Sequence, residues 1–174
     1  MENSQVLPIS FFDIETTGLN PVKDKIIEIA IIKLNQDMTE KIFYSYINPE
    51  TQIPKDIQKI TGIKEELLNN APKFKEIGLE LLDFIKNTTL IAHNAFFDLA
   101  FLQESLRREL LLSWDGKTVD SLRLFKKIMP GLPSYSLSFL RDYFKISQKD
   151  AISHRALEDA KTLKELFFIF TKIK

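Results

Sequence analysis

Three strand-length apolar runs fill the chain as far as Ile47, and a helical pattern interrupted only twice fills the rest. The first run, Ile9 to Ile14, is dense in apolar and aromatic residues and stops at the turn signal Thr16-Thr17-Gly18. Lys25 to Leu34 is rich in isoleucine, and Lys41 to Ile47 alternates apolar with polar residues. Asn35-Gln36-Asp37 between those two runs reads as a turn. Three antiparallel strands are therefore expected. Pro54 to Asn70 carries helix-forming stretches broken at Thr61-Gly62, and Phe74, Ile77, Leu81, Leu82 and Ile85 recur at helical spacing. The two interruptions are Thr88 to His93, leading into a helix that Asn94 is placed to cap, and Lys117 to Asp120. Further helices are predicted over about 121–128, 136–144 and 155–170, with Pro130, Gly131 and Pro133 in a loop. Short strands between helices predict parallel pairing through right-handed crossovers. The fold class is thus α/β: a mixed five-stranded sheet, three antiparallel strands and then parallel ones, flanked by helices.

The 174 residues suit one domain spanning 1–174 and would be cramped for two. There is no cysteine, which excludes disulfides, thiolate metal sites and cysteine nucleophiles, and leaves carboxylates and two histidines for site chemistry. Met1 to Ser10 has no basic stretch followed by an apolar run, and no segment is long enough to span a bilayer, so a cytoplasmic protein without membrane contact is expected. Lys plus Arg (24) balance Asp plus Glu (24), so no basic surplus announces nucleic acid. A protein that grips only a few nucleotides at a strand end needs local cations and bound metal rather than a basic surface.

Three segments carry the chemistry. Asp13 and Glu15 alternate along the first strand and so point to one face of the sheet. Their neighbours Phe11, Phe12 and Ile14 imply a buried strand, where an ionised carboxylate needs compensation. For an isolated pair, a solvated strand end or a buried arginine would be the commoner explanation. Asp98 is the only acid in an apolar helical turn, Phe96-Phe97-Asp98-Leu99-Ala100-Phe101, where a lone aspartate would ordinarily serve the helix dipole. In His154-Arg155-Ala156-Leu157-Glu158-Asp159-Ala160, the spacing places His154 in the loop before a helix and Asp159 in its first turns, with Glu158 facing solvent. Four carboxylates with few histidines suit magnesium or manganese rather than zinc. Two such ions about 3.5–4 Å apart are an apparatus for displacement at phosphorus, and a histidine of pKa about 6.5 can take the proton from attacking water.

Together, and in order, Phe12-Asp13-Ile14-Glu15-Thr16-Thr17-Gly18-Leu19, His93-Asn94-Ala95-Phe96-Phe97-Asp98 and the His154 segment resemble the motifs of the DEDD superfamily of 3′-to-5′ exonucleases. The resemblance is to its histidine branch (DEDDh, DnaQ-like), which includes the proofreading epsilon subunits of bacterial DNA polymerase III. Ile60-Thr61-Gly62-Ile63 and Val119-Asp120-Ser121-Leu122 also look like family sequence, so the resemblance spans nearly the whole chain. It implies a ribonuclease H-like fold, two Mg2+ or Mn2+ ions per site, and hydrolysis of terminal phosphodiesters to nucleoside 5′-monophosphates. By the same resemblance Asp13 would bridge both metals, Glu15 and Asp159 would hold the metal bearing the attacking water, Asp98 would support the second, and His154 would be the general base. Thr16 and Leu19 would contact the terminal nucleotide and Phe97 the unpaired bases, while Asp120 belongs to the scaffold or caps the next helix. The implied partners are nucleic acid 3′ ends, single-stranded DNA first, and a DNA polymerase. Epsilon-type subunits dock through a tail, and this chain ends at Lys174, which puts that docking in doubt.

An RNA-trimming enzyme of the same branch is the alternative within the class, since that choice turns on how the site treats a 2′-hydroxyl. From other classes come a non-catalytic nucleic-acid-binding module, which loss of an acid or the histidine would signal, and a phosphatase or endonuclease with similar metals.

Overall fold

A computed structural model of the protein describes residues 8–147 and 155–172. One five-stranded sheet has the order β3-β2-β1-β4-β5, built from β1 (Ile9–Thr16), β2 (Ile26–Leu34), β3 (Glu40–Tyr46), β4 (Thr89–Ala92) and β5 (Lys117–Asp120). The first three pair antiparallel, whereas β4 lies parallel to β1 and β5 parallel to β4, as the sequence pattern predicts. Helices α1 (Lys55–Thr61), α2 (Glu65–Leu68), α3 (Phe74–Ile85), α4 (Ala95–Leu110), α5 (Ser121–Ile128), α6 (Leu137–Tyr143) and α7 (Ala156–Lys172) fill the intervals. The break at Thr61-Gly62 is a helix stop: Gly62 adopts φ 70° and its N–H closes on the Gln58 carbonyl.

Alternation along the central strands sorts the core into two layers. Phe12 and Ile14 of β1 and Ile29 and Ile31 of β2 pack with α3 and α4, while Phe11, Ala30 and Ile32 pack on the opposite face with Phe125, Leu140 and the α7 residues Ala156, Ala160, Leu163, Leu166 and Phe170. β1 is therefore covered on both faces along most of its length. It also runs on past Ile14, where the sequence pattern weakens, because its ladder with β2 continues through Glu15 opposite Glu28. A bulge follows, Thr16 pairing with Ile26, and the extra residue Ile27 packs into a small third cluster with Ile53, Ile63 and Leu68. On the α7 face the side chains after Phe11 are Asp13 and Glu15, so the apolar layer gives way to carboxylates at the strand's C-terminal end.

Candidate active site

Asp13, Glu15 and Asp159 converge: a carboxylate oxygen from each lies within 4.8 Å of the others. Two come from one strand face and the third from the first turn of α7, where the Asp159 N–H closes on the Arg155 carbonyl at 3.0 Å. Asp98 stands beside this trio rather than in it, in the first turn of α4, where it is 4% exposed and among the charges felt by Asp13 and Glu15. His154 lies outside the described residues.

The electrostatics are those of a site awaiting positive charge. Burial, followed by the charges of Asp98, Asp159, Glu15 and Glu28, pushes the Asp13 carboxyl well above the usual range. Glu15 is pushed from 4.5 to about 8 by burial and then by Asp159, Glu28 and Asp98, with Arg155 pulling weakly the other way. Asp98 is also raised, chiefly by burial, against backbone hydrogen bonds at its own residue and at Ile14. Among the described residues neither Asp13 nor Glu15 has a salt-bridge partner. A divalent cation would lower all of these pKa values at once. A donor set made only of carboxylate oxygens fits a hard cation.

The nominated substrate contacts are less uniform. Thr16 is buried at the end of β1 and donates its hydroxyl to the Gly18 carbonyl at 2.6 Å, shaping the turn. Leu19 in that turn is 82% exposed. Phe97 is half-buried, its ring 4.9 Å from that of Phe101 one turn on, whereas its neighbour Phe96 is 83% exposed.

Two expectations are corrected. Asn94 occupies the cap position of α4 with φ 66° and makes no side-chain cap bond; an N-cap normally needs extended backbone, so the residue serves here by tolerating the left-handed turn. Glu158 does not simply face solvent but is half-buried and paired with Lys161 at 2.5 Å. Asp120 accepts from the Leu122 and Arg123 N–H groups and so caps α5, as expected of a scaffold residue.

The sequence reading also missed two supports. His93 bridges the Ser121 hydroxyl at 2.9 Å and the Tyr135 carbonyl at 2.7 Å, and burial lowers its pKa, so it ties β4 to α5 and the loop before α6. Glu28 is fully buried against Arg155, Tyr44 and the N-terminus of α7. Its signal was an acid inside an isoleucine run.

This sheet, with helices on both faces and acids at the end of its first strand, is of the ribonuclease H-like class. A family model described as exonuclease matches residues 10–167. Over 165 residues the chain is 40% identical to the DNA polymerase III subunit epsilon of Rickettsia prowazekii (strain Madrid E), covering 91% of this chain and 72% of that protein. It is 38% identical over 156 residues to the PolC-type DNA polymerase III of Caldanaerobacter subterraneus subsp. tengcongensis, covering 90% of this chain but only 11% of that protein. The solved nuclease domain of 3′hExo, a DEDDh family member bound to rAMP, superposes with a TM-score of 0.80 at 20% identity, over 97% of this chain and 94% of that one. The chain belongs to the exonuclease family and is a 3′-5′ exonuclease. No helix among the described residues is long and apolar enough to cross a membrane.

Proposed function

We propose that residues 1–174 act as one exonuclease unit that removes nucleotides singly from DNA 3′ ends by a two-metal mechanism, releasing nucleoside 5′-monophosphates in proofreading or repair. The observation that carries this reading is the cluster of Asp13, Glu15 and Asp159 within 4.8 Å, with Asp98 beside it, in a chain 40% identical to a polymerase III epsilon subunit. The same similarity makes a DNA polymerase the natural partner and the cytoplasm the natural location. Asp13 would hold both Mg2+ or Mn2+ ions, Glu15 and Asp159 one of them, and Asp98 the other in part through water. When bound, two such cations neutralise charge on the phosphate and acidify the attacking water. His154, on the sequence side of α7 nearest Asp159, takes the proton from that water. Thr16, Leu19 and Phe97 hold the terminal nucleotides, with Leu19 the most exposed of the three.

Digestion of a 5′-labelled single-stranded DNA oligonucleotide with Mg2+ tests this, beside EDTA and Asp13→Ala controls. A ladder of products shortening from the 3′ end, lost in both controls, is expected. A ladder on RNA but not on DNA would move the substrate to RNA. No cleavage of either strand with Mg2+ or Mn2+ would refute the assignment of these residues.

A further inference from the structure

Glu28 lies directly opposite Glu15 on the neighbouring strand and is fully buried. Its charge makes both Asp13 and Glu15 harder to ionise, so on electrostatic grounds the position is a poor one for an acid. Both of its oxygens are nevertheless committed. Oε1 accepts from the Tyr44 hydroxyl at 2.7 Å and from Arg155 Nε at 3.1 Å, and Oε2 accepts from the Ala156 backbone N–H at 3.0 Å. The Arg155 guanidinium lies over the Tyr46 ring, 5.3 Å from its centroid, and donates to the hydroxyls of Tyr44 (3.1 Å) and Tyr46. Ala156 is the first residue of α7, and the Arg155 carbonyl accepts the Asp159 N–H. The two residues that Glu28 grips are thus those on which the first turn of α7, with Asp159, is built.

The apolar face of α7 cannot set that turn alone. Near its start it offers Ala156, Ala160 and the partly buried Leu157 to that layer, and hydrophobic contact is non-directional, whereas the three bonds to Glu28 fix both distance and angle. We propose that Glu28 is a positioning residue of the metal site: through Arg155 and the Ala156 N–H it fixes the start of α7, so that Asp159 meets Asp13 and Glu15. This rests on the reading that those three acids hold metal.

The test is Mn2+ binding by calorimetry, together with hydrogen exchange at the Asp159 amide in the metal-free protein. The charge-matched double variant Glu28→Gln/Arg155→Gln removes one charge of each sign, so a change in net charge cannot account for its behaviour. Supporting the proposal, its Mn2+ dissociation constant rises about 10–100-fold, the range for losing a group that orients a metal ligand, and Asp159 exchanges faster. A folded double variant whose Mn2+ affinity and Asp159 protection lie within twofold of wild type would show the pair to be structural only and overturn it. Should the double variant not fold, Glu28→Asp, with its charge kept and its arm one methylene shorter, decides in the same way: weakened Mn2+ binding supports, unchanged binding overturns. A wild type that binds no Mn2+ would remove the metal-site reading and the proposal with it, whereas wild-type binding with unaffected variants removes the proposal alone.

Discussion

In the metal-free protein at pH 8, Glu15→Gln takes one charge out of a cluster in which Asp13 and Asp98 also resist ionisation. A carboxyl displaced from 4.5 to about 8 binds its proton more tightly when folded, and at about 1.4 kcal/mol per tenfold change in affinity the penalty for keeping it ionised is at most about 5 kcal/mol. Glu15 retains some contact with solvent and its neighbours relax, so about 1–3 kcal/mol is the expected gain in the glutamine variant. For a domain of this length that corresponds to about 3–10 °C in Tm. The sign follows from proton binding: between pH 4.5 and 8 the folded protein holds a proton that the unfolded chain has released. This stabilisation is complete below the unfolded value and is lost as pH rises through the folded one. Thermal melts in EDTA at pH 5 and pH 8 should therefore show wild type losing stability toward pH 8 and Glu15→Gln losing less. Saturating Mg2+ should reverse the order at pH 8, because only wild type gains the full binding free energy. A glutamine variant that melts at or below wild type in EDTA at pH 8 would refute the claim that burial and the neighbouring acids disfavour an ionised Glu15.

Three further outcomes separate scaffold from site. Ser10 is fully buried in β1 and its hydroxyl has no partner among the described residues, so Ser10→Ala should hold or raise stability by up to about 1 kcal/mol in chemical denaturation with kcat unchanged. Asp120→Ala removes the α5 cap and should cost about 1 kcal/mol while nuclease kcat stays within twofold; a large loss of kcat there would place Asp120 in the metal site after all. His154→Ala should lower kcat about 10²–10⁴-fold at neutral pH with Mn2+ affinity retained in calorimetry, and loss of metal binding instead would deny it the role of base.

The sheet was legible because each strand announced itself locally: β5 is bounded where its run Lys117 to Asp120 is bounded, and Asp13 and Glu15 share a face by alternation alone. Convergence of the acids was legible only through the ordered motifs, since spacing cannot say that α7 returns to β1. The supports were not legible at all. Glu28 is satisfied by Tyr44 across one strand pairing and by Arg155 at a sequence separation of 127 residues, so the isoleucine run showed an acid without its partners. His93 likewise meets Ser121 and Tyr135 only once β5, α5 and the following loop are in place. In Phe96-Phe97-Asp98 composition could not say which ring faces out. The spacing of Phe97 from Phe101 did contain the answer, because residues one turn apart on a helix stack on one side.

Glu15 and Glu28 show how one sheet face can hold two acids of opposite purpose. Like charges directly opposite across a ladder destabilise it, so both glutamates require positive charge. Among the described residues, only Glu28 of the two has a cationic side chain as its ion-pair partner. Arg155 meets Glu28 with Nε at 3.1 Å, while on Glu15 it is the smallest of the five influences named and leaves the carboxyl raised to about 8. An arginine placed on Glu15 instead would stabilise the metal-free fold and compete with any ion for the same oxygens. With Arg155 on Glu28, that cation serves the frame, and the repulsion that raises Asp13 and Glu15 would be relieved by an external one. The instability expected of the metal-free protein at pH 8 and the affinity expected for a divalent cation are then the same free energy seen from two sides.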